Sequence, residues 1–96
     1  KMQILNRQPL EDFKREHADA RKQLNSWEAL VGEAQWKMPQ DLKNSFPKAR
    51  TIGNLNAIFN ICRDNYRLWV KVAYNTGVVF IKNIGTHKEY DKWEIK

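Results

Sequence analysis

The sequence predicts an α+β domain, an antiparallel sheet of about four strands with N-terminal helices packed on one face and a short C-terminal helix. Three observations carry this. Apolar positions recur in steps of three and four from Leu10 to Ala34, which is the spacing of one helix face. Residues alternate strictly from Tyr66 to Tyr74, and a β-branched and aromatic run follows from Val78 to Ile84. Finally, Thr86-His87-Lys88-Glu89 has the pattern of a capping box, so a helix starts at His87. The 96 residues are enough for one core and not for two, so residues 1–96 form a single domain.

Met2 to Leu5 is short and apolar and reads as a first strand, which joins the sheet because so small a fragment cannot stand alone. Asn6 is a plausible helix cap, and Pro9 is tolerated in a first turn, where its missing N–H costs nothing. The face Leu10, Phe13, His17, Ala20, Leu24, Trp27, Val31 and Ala34 fits one long helix or two in tandem. Two are favoured, with a break near His17-Ala18 and Asp19 as the second cap. His17 on this face reads as a packing residue rather than a ligand. Trp36 to Pro47 is a connector in which Pro39 opens a short helical turn and Phe46-Pro47 closes it. Lys48 and Arg50 then read as a basic surface loop.

Leu55 to Cys62 is the next strand, and Arg63-Asp64-Asn65 turns into Tyr66. Leu68, Val70 and Val72 lie on one side of the following strand, with Arg67, Trp69 and Lys71 on the other. Asn75-Thr76-Gly77 supplies the hairpin turn. With a two-residue turn at Thr76-Gly77, Arg67, Lys71 and Lys82 share a face opposite Val79 and Ile81. A slip of one residue would put Lys82 among Val70 and Val72, and burying an unpaired lysine there is costly.

Lysine and arginine outnumber aspartate and glutamate by 17 to 11, a formal charge of +6, which suits a polyanionic partner. The lone Cys62 cannot form an internal disulfide and reads as a buried thiol rather than a nucleophile. With no long apolar run to insert into a membrane, a cytoplasmic protein is expected. Neither metal-ligand spacing, nor a glycine-rich phosphate loop, nor a DNA-recognition helix is visible. His87, Lys88 and Tyr90 sit in or near the first turn of the last helix, where free amides and the positive dipole end favour an anion. Read in isolation, His87 is a polar first-turn residue before it is a catalyst, Arg67 and Lys71 are a solvated strand face, and Trp69 is sheet packing before it is a stacking platform.

The segments Phe59-Asn60-Ile61, Tyr66-Arg67-Leu68, Phe80-Ile81-Lys82 and above all Thr86-His87-Lys88-Glu89-Tyr90-Asp91, with the connector Asp41-Leu42-Lys43 and Phe46-Pro47, resemble the HigB branch of the RelE-type toxins. The resemblance runs from about Met2 to Trp93. It implies a RelE-like microbial RNase fold and a metal-independent, cofactor-free endoribonuclease that cuts mRNA in the ribosomal A site. It also implies neutralisation by a HigA-type helix-turn-helix antitoxin, through which a toxin–antitoxin hetero-oligomer would reach operator DNA. Arg67 matches a phosphate-contacting arginine, and His87, Lys88 and Tyr90 match residues of phosphate stabilisation and proton transfer. Lys71, Lys82, Trp69 and Arg63 are then candidate RNA contacts. A histidine stands here where RelE has arginine, so either proton transfer could fall to His87. The other functional class left open is a non-catalytic RNA- or ribosome-binding module that blocks translation by occupancy.

Overall fold

A computed structural model describes residues 1–95. Its elements run β1 (Gln3–Leu5), α1 (Gln8–Glu16), α2 (Ala18–Glu33), α3 (Pro39–Ser45), β2 (Arg50–Ile52), β3 (Asn56–Ile61), β4 (Tyr66–Ala73), β5 (Val78–Thr86) and α4 (His87–Tyr90). The α+β class holds, with the N-terminal helices on one face and the short helix last. The sheet differs from expectation in two respects: it has five strands, in the order β1-β5-β4-β3-β2, and it is mixed, since β1 runs parallel to β5 while the other pairs are antiparallel. The added strand is β2, read above as loop. Its three residues are too few to show a period, and its pairing with Asn56–Ile58 depends on a partner further along the chain.

The helical stretch divides at His17, whose φ of −128° and ψ of 83° leave the helix. His17 stacks on Phe13 with ring centroids 4.1 Å apart and also meets Tyr66, a packing role as expected. Neither expected cap forms. Asn6 takes a φ of 62° and its Nδ2 donates to Ile81 O at 2.7 Å, tying the end of β1 to β5. Asp19 lies inside α2 and accepts from the Tyr66 hydroxyl at 2.8 Å. Asn6 thus links two strands and Asp19 joins α2 to the sheet, and neither side chain terminates a helix. The core fills the space between helices and sheet, with Leu10, Leu24 and Val31 from the helices fully buried against Leu68, Val70 and Ile81. Among the described residues, no helix is long and apolar enough to cross a membrane.

The β4–β5 hairpin keeps the expected faces by a different route. Ala73 pairs with Val78, so the loop is Tyr74 to Gly77, four residues instead of two, with Gly77 at a φ of 72°. Lengthening by two preserves the alternation. Pairing then shifts between Val70–Ile81 and Trp69–Asn83, leaving Lys82 as the extra residue of a β-bulge. Lys82 and Asn83 therefore both project on the face of Arg67, Trp69 and Lys71. The opposite side of the hairpin stays apolar.

Cys62 and Arg63 begin the β3–β4 turn with positive φ values of 52° and 62°. The Cys62 amide donates to Gln23 Oε1 at 2.7 Å and its Sγ to Asp19 O at 3.3 Å, so α2 holds this turn. Burial and the nearby Asp19 push the half-buried thiol above its ordinary value of 9.0. Tyr66 is raised by its bond to Asp19 and Tyr74 by burial, while on Lys14 burial acts downward but is outweighed by Glu28 and Glu11. Each of these groups holds its proton more tightly folded than unfolded. Below the unfolded values both states are protonated and the stabilisation is complete; above them the unfolded chain releases protons first and the stabilisation is lost as pH rises through the folded values. We expect the urea midpoint to fall from about pH 9 upward, with Tyr66→Phe removing part of the slope. Equal midpoints at pH 8 and about pH 11 would contradict this.

Candidate active site

The open face of the sheet, away from the core, carries α4. The capping box expected at its start is present, with Thr86 Oγ1 accepting from the Glu89 amide at 3.2 Å and Glu89 Oε1 from the Thr86 amide at 2.9 Å. The His87 amide is spent on Asn65 O at 3.2 Å, which pins the helix to the β3–β4 turn. Gly85 lets the helix lie this close: a Cβ there would stand 3.0 Å from Glu89 Oε1 and 3.2 Å from Trp93 Cζ2.

Arg67, on β4 opposite Gly85, runs under this helix with its side chain only 11% exposed. Its Nη1 donates to Asp64 O at 2.9 Å and to Tyr66 O at 3.2 Å, and its Cζ lies 5.6 Å from the centre of the Tyr90 ring. The guanidinium is held from two sides, by the carbonyls of Asp64 and Tyr66 and by an aromatic face. The Tyr90 hydroxyl accepts from Arg50 Nη1 at 3.4 Å, and the His87 ring stands 6.2 Å from that of Tyr90 with Nδ1 3.6 Å from Asp91 Oδ2. The structure thus brings together Arg67, Tyr90 and His87, and adds Arg50. Sequence reasoning missed Arg50 because it sits on β2; the basic Lys48–Arg50 stretch was the one available signal.

A second group adjoins the first. Trp93 lies 5.6 Å from Tyr90 and 6.1 Å from Trp69, making an aromatic row from α4 to β4. Lys82 Nζ stands 5.6 Å from the Trp69 ring centre, and Trp69 Nε1 donates to the buried Asn56 Oδ1 at 3.0 Å. Trp69 is thereby fixed on the open face and does not enter the core. Lys71 shares this face beside Asn56 and Phe80, and Lys88 is exposed on α4. Arg63 departs from the group: it sits in the β3–β4 turn and borders a groove on the helical side of the sheet.

The chemistry available is a set of cations able to meet a phosphodiester, a histidine and a tyrosine able to carry protons, and aromatic faces able to stack on bases. Among the described residues no cluster of three His, Cys, Asp or Glu side chains could hold a metal ion.

Comparison with known proteins agrees with this fold. Residues 20–93 match the HigB toxin family, described as the RelE-like toxic component of a toxin–antitoxin system. The chain is 24% identical over 93 residues to the mRNA interferase HigB of Escherichia coli O6:H1, covering 95% of this chain and 90% of that protein. It is likewise 24% identical over 92 residues to the mRNA interferase toxin HigB of E. coli K12 and the mRNA interferase HigB of Shigella flexneri, covering 94% of this chain and 88% of each. With the family match spanning most of its length, including β4, β5 and α4, the chain belongs to the HigB family of RelE-like toxins.

Proposed function

We propose that this toxin is a ribosome-dependent mRNA endonuclease that cleaves by attack of the ribose 2'-hydroxyl, without a metal ion. The observation that carries the reading is Arg67: a guanidinium held almost out of water beside Tyr90, on the face where α4 presents His87. A base removes the 2'-hydroxyl proton, the oxygen attacks the adjacent phosphorus, and the 5'-oxygen leaves with a proton from an acid, giving a 2',3'-cyclic phosphate. His87 moves one of these two protons. Arg67 and Lys88 stabilise charge on the phosphoryl oxygens, and Tyr90, tethered by Arg50, orients the substrate. Lys71 and Lys82 meet the RNA backbone, and Trp69, with Trp93 beside it, offers a face for a base.

Family membership and the printed activity of the relatives support an interferase; the ribosomal A site, a HigA-type antitoxin that brings the pair to operator DNA, and a cytoplasmic setting complete the proposal. The aromatic row with Lys82 is binding chemistry that needs no bond cleavage, and favours as second reading a module that arrests translation by occupancy.

Primer extension on a defined mRNA, with and without programmed ribosomes, separates the two. Cuts that require ribosomes and fall by about 100-fold or more in His87→Ala are expected. Arrest without cuts would select the occupancy reading, and full cutting by His87→Ala would remove that residue from the chemistry.

A further inference from the structure

We propose that the groove between α2 and the α3–β2 loop is the docking site of the cognate antitoxin, which enters it with an acidic segment bearing a large apolar side chain. The inference rests on the toxin-family assignment and not on the cleavage reaction.

The groove encloses about 760 Å³ on the helical side of the sheet, the side away from α4. Trp27 and Leu30 of α2 form one wall, Phe46 the other, and Phe59 of β3 lines it as well. Leu30 is 59% exposed although its helix neighbours Trp27 and Val31 are buried, so a large aliphatic side chain stands in water at the edge of an aromatic depression. An apolar anchor laid there removes that surface from water, the arrangement typical of an interface hot spot. The rim decides the charge of the occupant. Lys48 and Arg63 are both exposed on it, while among the described lining residues the one carboxylate, Asp64, lies 3.9 Å from Arg67 Nη2. On a chain of formal charge +6, this rim selects an acidic partner. The mostly apolar walls suit a protein side chain better than a phosphodiester.

The position also gives the partner a route to the active face without covering it. Arg63 and Asp64 border the groove, and the carbonyl of Asp64 is one of the two that accept from Arg67 on the far side of the turn. An antitoxin seated in the groove touches the turn that holds the guanidinium.

The test is titration of the purified cognate antitoxin into the full-length toxin and its variants, each first checked for an unchanged thermal transition. Leu30→Asp is expected to weaken binding by about tenfold or more, since the side chain is exposed and its replacement leaves the core intact. Lys48→Glu should weaken it severalfold and flatten its salt dependence. Arg67→Ala and His87→Ala should remain within about twofold of wild type. Wild-type affinity in Leu30→Asp, a large loss in Arg67→Ala, or no binding by the unaltered toxin overturns the proposal. Displacement of bound antitoxin by a single-stranded RNA oligonucleotide in the wild type but not in Lys48→Glu would reassign the groove to RNA and overturn it as well. Because the readout is affinity, its failure leaves the endonuclease reading standing, and the reverse holds too.

Discussion

Arg67→Ala should lower single-turnover cleavage of ribosome-bound mRNA by about 100- to 1000-fold, the loss typical when a preorganised donor to a developing anion is removed. The size follows from how the side chain is held. It is 11% exposed, its Nη1 is satisfied by the carbonyls of Asp64 in the adjoining turn and of Tyr66 at the start of β4, and Tyr90 covers it, so little reorganisation is needed when charge builds on the phosphate. A fully solvated arginine would contribute far less, because water would already screen it. Arg67→Lys keeps the charge but not the fork that reaches the turn and the substrate together, and should recover only part of the rate. The assay is primer extension with enzyme in excess over programmed ribosomes. A loss of less than about tenfold in Arg67→Ala would show that other cations carry the charge stabilisation.

Leu68→Ala, one residue further along the same strand, should cost about 3 kcal/mol of folding stability, a large share of the 5–15 kcal/mol typical of a domain. Leu68 is fully buried against the helices, and a cavity left there lies between the rigid β3 and β5 neighbours Phe59 and Ile84. The measurement is the urea midpoint at constant m-value. By contrast, Phe80→Ala on the open face, where the ring is 40% exposed, should change it little. Adjacent positions on β4 thus separate chemistry from stability, as alternation across a strand requires. A Leu68→Ala midpoint equal to wild type would mean that the core closes over the gap.

What could be read from the sequence was whatever local periodicity encodes. The β4 alternation, the helix break at His17 and the Thr86 capping box all depend on neighbours within a turn or two, and all three are found. Strand pairing at long separation is not written that way. Hence the parallel β1, the edge strand β2 and the bulge at Lys82 escaped notice, and Asn6 and Asp19 passed for caps when their partners lie on distant strands. The site divides along the same line. His87, Arg67 and Tyr90 lie in the short local motifs that carry the resemblance to RelE-type toxins, whereas Arg50 meets Tyr90 across a separation of 40 residues. Arg63 lies apart from the open-face group for the complementary reason, since a turn residue carries no alternation to assign it a side of the sheet.

Had β5 continued without its irregularity, Asn83 would face the core and Ile84 would lie against Arg67, while Gly85 would no longer sit beneath Glu89 and Trp93. The two halves of the strand are written in opposite parity, and residue 82 is the comma between them. Because it belongs to neither ladder, its side chain answers to no pairing partner and can change identity, or the position can vanish, without rephasing the strand on either side. The cation beside Trp69 is therefore uncoupled from the register that holds the Arg67 site and its covering helix.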